Sequence, residues 1–267
     1  MATTTRKKSA SPDKIRRAKR KISSADEFDF LKMLVYGQNG KGKTRFGASG
    51  PKVLLVDCNE RGSLSIRHFP AQVFKVETWT DIDLAYWYLH SGQHDFETVV
   101  LDTITSLAQL CMKFVLGDES SRDPTKDPNM PSKREWGKVG ELMRTVILNF
   151  RNLPMNVVFL AQERRGFTDD DDEDAPEVFP EVSPSVRTTL TASVDIIGRV
   201  FIKEVVTKKG GKKGKPVPSY RMLIGPSERY VTKDRSESGL PQVISLPNST
   251  DNLAKLIQRI KRGAKEA

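Results

Sequence analysis

Leu31-Lys-Met-Leu-Val-Tyr-Gly37-Gln-Asn-Gly-Lys-Gly-Lys43-Thr44 decides how this chain is read. Its first half is a short apolar run, the pattern of a strand buried on both faces. Its second half is Gly-x-x-x-x-Gly-Lys-Thr, a phosphate-binding P-loop placed where the chemistry needs it, between a strand and a helix. Glycine there lets backbone N–H groups converge on phosphate oxygens where a Cβ would obstruct them. The nucleotide-binding candidates are therefore Gly37, Gln38, Asn39, Gly40, Lys41, Gly42, Lys43, Thr44 and Arg45. Lys43 would reach the β- and γ-phosphates of ATP, and Thr44 would offer its hydroxyl to Mg2+. Lys41 is a second cation of the loop, expected to face solvent.

Outward from this loop, apolar runs alternate with helix-like stretches. Strands are predicted at 31–36, 52–57, 73–76, 98–102 and 156–161. Helices are predicted at 43–48, 81–89, 106–116 and 136–151. That alternation predicts an α/β fold, a mainly parallel sheet flanked by helices and built from βαβ units. After residue 190 the rhythm changes to a β-hairpin over 196–223 with a lysine- and glycine-rich tip at 208–215, a C-terminal extension of the core. A short strand at 241–246 follows, then a helix capped by Ser249, carrying Leu253, Leu256, Ile257 and Ile260 on one face and closed by Gly263. The chain divides into a basic, disordered tail (1–27), a core (28–246) and a C-terminal helix (247–267).

Charge is unevenly spread. Residues 1–21 hold nine basic side chains against Asp13 alone, +8 of the chain's +10, so the basic character belongs mainly to the tail. No stretch is long and apolar enough to span a membrane, and no apolar segment follows the basic start, so no membrane role is expected and the chain is placed in the cytoplasm. Cys58 and Cys111 lack metal or redox spacing and are expected to be reduced and packed. His90 and His94 have the spacing of a metal pair but no third ligand, and are not assigned to a metal.

Three further strand ends carry polar groups. Thr98-Val-Val-Leu-Asp102 is a buried strand ending in a carboxylate, the form of a Walker B site, so Asp102 joins Thr44 as a candidate for holding magnesium. Thr103, next in sequence, is placed to bind that ion's water shell. Val53-Leu-Leu-Val-Asp57 ends in another acid and leads into Glu60. Glu60 is the candidate base for activating water and Asp57 the alternative. Asn156–Ala161 ends at Gln162, whose amide can bind a γ-phosphate and let it go after hydrolysis.

This order of parts resembles the RecA-like ATPase core, and more narrowly the phage RecA-like P-loop NTPases of the Sak-four type, associated with single-strand annealing and recombination. Pro180-Glu-Val-Ser-Pro, Leu190, Asp195 and Tyr230-Val-Thr-Lys233-Asp234-Arg235 extend the resemblance, which covers roughly residues 30–246. It implies homo-oligomers with ATP sites between subunits, formed on DNA, and a phage single-strand-binding protein as partner in a bacterial host. It also implies that Lys233 and Arg235 act as fingers on the neighbour's ATP, beside catalytic Lys43, Glu60, Asp102 and Gln162. Two departures stand out: Glu60 follows Asp57 by three residues where the family has two, and the loop after Gln162 carries six adjacent acids, Asp169 to Asp174, which repel a DNA backbone. They suggest an inserted segment or a dock for the basic tail.

Single-stranded DNA contacts are expected from Lys133 and Arg134, taken to lie in a loop, from Arg164 and Arg165, from Lys212 and Lys213 at the hairpin tip, and from the tail. Trp136 and Phe167 are stacking candidates. The competing classes are a helicase or packaging motor and a nucleotide-gated loader that hydrolyses little.

Overall fold

The computed structural model describes residues 11–20, 22, 29–122, 130–166, 178–209 and 212–266. In chain order these form α1 (Pro12–Lys19), β1 (Lys32–Gly37), α2 (Lys43–Gly47), β2 (Val53–Asp57), a 3-10 turn (Gly62–Ile66) and β3 (Gln72–Lys75). There follow α3 (Asp81–His90), β4 (Thr98–Asp102), α4 (Ile104–Arg122), α5 (Lys133–Arg151), β5 (Asn156–Arg165), β6 (Val178–Pro180) and α6 (Pro184–Ser193). The last are β7 (Ile196–Lys209), β8 (Lys212–Leu223), β9 (Lys233–Asp234), β10 (Val243–Ser245) and α7 (Asn252–Glu266).

Successive side chains of β1 point to opposite faces, and both faces are buried. Leu34 and Tyr36 enter a core formed with α3, α4, α5 and α6. Met33 and Val35 enter a second core closed by Phe46 of α2, Ile66 of the 3-10 turn and Leu253, Leu256, Ile257 and Ile260 of α7. A strand apolar on both faces belongs in mid-sheet, and β1 is there, between β5 and β7. The main path runs β10-β8-β7-β1-β5-β4-β2-β3. β3, β2, β4, β5, β1 and β7 are mutually parallel, while β8 pairs antiparallel with β7 and β10 antiparallel with β8. The expected fold class, a mainly parallel α/β sheet flanked by helices and extended by a C-terminal hairpin, is the one found.

β5 separates the P-loop strand β1 from the acid-ending strand β4. In register, Gly37 pairs with Gln162, Asp102 with Leu160, and Asp57 with Asp102. Parallel pairing thus carries the polar ends of four strands to one edge of the sheet.

Several local expectations are corrected. Lys133 and Arg134 are not in a loop; they form the first turn of α5, whose start is fixed by a capping box between Ser132 and Glu135. Ser249 does not cap α7. Ser49, at the end of α2, takes that role across the fold, accepting Leu253 N–H on Oγ at 2.9 Å and Ala254 N–H on its carbonyl at 3.1 Å. Nor does Gly263 end α7; it lies inside the helix, at a position where a Cβ would come 2.7 Å from Ser238 Cβ. Within the tail, α1 is helical, with Asp13 paired to Arg16 and Arg17. Residues 1–10, 21 and 23–28 of the tail region, the acidic run 169–174 and Phe167 lie outside the described residues. So do the side chains of Lys212 and Lys213 at the start of β8. α6 and β6 were not expected, although Ser183-Pro184 is a helix-start signal.

Ser49 also donates to Phe46 O at 2.6 Å and is fully buried. Ser49→Ala should therefore lower stability by about 1–2 kcal/mol. A shift in the urea midpoint with unchanged m-value would report it, and an unchanged midpoint would count against the cross-fold cap.

Candidate nucleotide-binding site

The loop between β1 and α2 turns through two left-handed glycines, Gly40 (φ 72°) and Gly42 (φ 92°), a conformation that favours glycine over other residues. A Cβ at Gly40 would meet nothing within 4 Å, so the loop's mouth is open. Lys43 is 6% exposed, and its ammonium donates to Gly37 O (2.8 Å), Gln38 O (3.1 Å) and Gln162 Oε1 (2.8 Å). Burial pulls this ammonium below its usual value, opposed by the carboxylates of Asp102, Glu60 and Glu163. Thr44 Oγ1 donates to Asp102 Oδ2 at 2.7 Å.

Asp57 and Glu60, alternatives on sequence grounds, occupy different positions. Asp57 Oδ1 accepts the backbone N–H of Glu60 (2.8 Å) and Arg61 (3.2 Å), so it holds the turn. Glu60 projects into the site, its Oε1 accepting from Thr103 Oγ1 (2.9 Å), Ser106 Oγ (2.5 Å) and, more weakly, Gln162 Nε2 (3.5 Å). Thr103, expected at a magnesium shell, is instead bonded to Glu60. Asn59 (φ 67°) and Arg61 (φ 53°), on either side of Glu60, are left-handed without being glycine, so the turn carrying this acid is strained.

Gly62 is a site residue that sequence reasoning missed. A Cβ there would lie 3.1 Å from Asp102 Oδ2 and 3.2 Å from Thr44 Cγ2, crowding the oxygens of that pair. Thr105 was missed too: its Oγ1 accepts Gln162 N–H at 3.0 Å and donates to Glu181 O at 3.0 Å. Hydroxyls at the start of α4 thus orient both Glu60 and Gln162. Small polar residues in a helix's first turn are too common to be singled out from sequence.

These groups surround a cavity of about 270 Å³ lined by Asn39, Gly40, Lys43, Glu60, Asp102 and Gln162. It adjoins a larger one of about 610 Å³ between Lys41, Arg45 and Phe46 on one side and Val217–Arg221, Ser245–Ser249 and Asn252 on the other. Gly42, Arg45 and Tyr220 line both. The Tyr220 ring lies over the loop, 3.3 Å from where a Gly42 Cβ would be. Lys41 therefore borders this second cavity rather than open solvent. Tyr220, also missed, lies far along the chain on a strand whose register no local pattern reveals.

A divalent cation fits the donor set. Asp102 is 2% exposed, it accepts a hydrogen bond from Thr44, and its carboxyl is pushed up to about 6, chiefly by burial and only partly opposed by Lys43, so a divalent cation would stabilise its ionised form. Thr44 and Asp102 would hold magnesium, and Gly62 leaves the space.

The remaining candidates lie apart. α5 ends where Lys32 Nζ binds the carbonyls of Leu153 (2.8 Å) and Met155 (2.6 Å) at the start of β1. A 19-residue helix is about 28 Å long, so Lys133 and Arg134 stand toward the opposite end, that of the nucleotide site. Arg164 and Arg165 are exposed on the part of β5 that runs past Gln162. Lys233 Nζ donates to Thr191 O (2.7 Å) and Val194 O (2.5 Å), closing the end of α6 in its own chain, while Arg235 is exposed. Cys58 and Cys111 are free and buried, as expected. Among the described residues no cluster of metal-binding side chains occurs, His94 Nε2 lying 2.9 Å from Leu89 O, and no helix is long and apolar enough to cross a membrane.

A family model described as AAA domain matches residues 29–236. No curated protein matches the chain. Among solved structures, the flagellar accessory protein FlaH from Methanocaldococcus jannaschii is similar at 10% identity and a TM-score of 0.34, over 80% of this chain and 84% of that one.

Asp102 rises from 3.8 to about 6 through burial, with Glu60 and Asp57 adding to it and Thr44 and Lys43 opposing. An acid whose folded value exceeds its unfolded one contributes stability that is fully present below the unfolded value and is lost as pH rises toward the folded one. Asp102→Asn removes a cost of up to about 3 kcal/mol at neutral pH. The metal-free variant should therefore melt higher than wild type at pH 7.5, with the gap closing near pH 4. A variant that melts lower at pH 7.5 would overturn this.

Proposed function

The chain belongs to the AAA domain family of P-loop ATPases, and from that premise we propose that it is a RecA-like, DNA-stimulated ATPase of phage-type recombination or single-strand annealing. One observation carries the hydrolytic part: Lys43, Thr44, Asp102, Glu60 and Gln162, from four strand ends, border one cavity of about 270 Å³.

The residues divide the work. Lys43 and the N–H groups of the glycine loop bind the phosphates, and Thr44 with Asp102 holds magnesium, which neutralises charge on the phosphate oxygens. Glu60 takes the proton of the attacking water once it is released from Thr103 and Ser106. Gln162 gives up its bond to Lys43 as the ammonium turns to the γ-phosphate, and its amide then reads whether that phosphate is present. Tyr220 stacks the nucleobase in the adjoining cavity, whose apolar wall of Phe46, Val217, Pro218 and Leu246 suits an aromatic ring. Arg235, exposed, reaches the ATP of a neighbouring subunit, while Lys233 would first have to leave its two carbonyls.

The DNA part rests on cations near the nucleotide end, Lys133, Arg134, Arg164 and Arg165, with Trp136, 52% exposed, one turn along α5. A second reading, a nucleotide-gated loader with little turnover, is favoured by the hydroxyls that tie down Glu60.

ATP turnover with and without single-stranded DNA separates the two. Wild type should hydrolyse ATP faster with DNA, Lys43→Ala should lose turnover by about a hundredfold or more, and Glu60→Gln should bind ATP yet turn it over about as poorly. Tight binding without turnover in wild type supports the loader. Tyr220→Ala should raise KM for ATP about tenfold with little change in kcat, the pattern of lost ground-state binding. An unaltered KM would remove the stacking assignment.

A further inference from the structure

β5 and β6 place Arg164 and Arg165, neighbours in sequence, on opposite faces. In this antiparallel pair Arg164 stands across from Phe179, while Glu163 and Arg165 stand across from Pro180 and Val178. Directly paired residues share a face. The face shared by Glu163, Pro180 and Val178 is the inner one, although Arg165 at the strand's end is exposed: Val178 is 2% exposed, and the Glu163 carboxylate, its side chain 4% exposed, pairs with Arg199 at 3.0 Å. Arg164 and Phe179 therefore share the outer face, and a third residue joins them there. The guanidinium of Arg187, from the first turns of α6, lies 3.8 Å from the centroid of the Phe179 ring.

An arginine stacked on a ring keeps its N–H fork free at the rim while losing little freedom on binding, which suits phosphate. Among the described residues Arg187 makes no ion pair with a carboxylate. Next to it, Ser183 at the N-cap of α6 uses no side-chain cap bond, and its Oγ is buried with no hydrogen-bond partner among the described residues. The strip thus combines two cations and an aromatic ring beside the N-terminus of a ten-residue helix.

We propose that Arg164, Phe179 and Arg187 form a contact strip for single-stranded nucleic acid, with Arg187 and Arg164 on successive phosphates and the Phe179–Arg187 stack supporting a base. This rests on reading the chain as DNA-binding and adds Arg187 and Phe179, which no sequence pattern suggested. It also gives DNA a short route to the nucleotide: Arg164 is two residues from Gln162 on the same strand.

Fluorescence anisotropy of the full chain with labelled oligo(dT), over a salt series, tests the strip. Arg187→Ala should weaken binding about tenfold and make the log–log salt slope shallower by about 0.7, the share of one phosphate on a single strand. Phe179→Leu should weaken binding severalfold with little change in slope, because it removes the stack and not the charge. Arg187→Lys should recover the slope but not the full affinity. Melting temperatures near wild type keep folding out of the comparison, and Arg164→Gln, on an exposed side chain, serves as a second variant with the same expected slope change. Wild-type affinity and slope in Arg187→Ala and Arg164→Gln would overturn the strip and leave the DNA reading standing. No binding of oligo(dT) by wild type would overturn both.

Discussion

Everything functional in this molecule depends on the register of one strand, β5, held between β1 and β4. Pairing Gly37 with Gln162 on one side and Asp102 with Leu160 on the other brings the phosphate loop, the buried acid and the amide to one edge. A slip of one residue would turn Val158 and Leu160 from the α2–α7 core toward the α3–α6 core, so apolar burial on both faces pins that register. Core packing thereby sets the distances among the polar groups at the sheet's edge.

At that edge the fold tolerates what it avoids elsewhere. Lys43 and Asp102 are buried charges, and Asn59 and Arg61 bend the turn around Glu60 into left-handed geometry. Each feature costs stability in the ligand-free protein, and each places a group beside the phosphate cavity. Hydroxyls compensate in part: Thr44 on Asp102, Thr103 and Ser106 on Glu60, Thr105 on the Gln162 backbone. Among the described residues, this local network links the proposed base, the sensor and the phosphate lysine, so movement of one disturbs the others.

The C-terminal third does more than extend the sheet. β8 brings Tyr220 over the glycine loop, and the segment before α7 closes the larger cavity with Leu246, Pro247 and Asn248. Ser49 ties α7 to the end of the P-loop helix, so the cavity's far wall is anchored to the loop that binds phosphate.

Much was legible along the chain because it depends on neighbours in sequence. The apolar runs and their periods identify β1, β2, β4 and β5 to within a residue or so at their starts, and the glycine spacing identifies the phosphate loop. An acid or amide at the end of an apolar run marks Asp102 and Gln162. Contacts across the fold were not legible, because no local pattern encodes which distant residue fills a gap. Ser49 displaced Ser249 as the cap of α7, Asp57 became the brace of the turn and Glu60 the group in the cavity, and Arg164 parted from Arg165 once β6 paired with β5. Sequence alone determined that this chain binds phosphate on a strand–loop–helix, since that chemistry is written in eight consecutive residues. Only the tertiary structure decided what surrounds the phosphate, because Gly62, Tyr220 and the α4 hydroxyls reach it through strand order and packing.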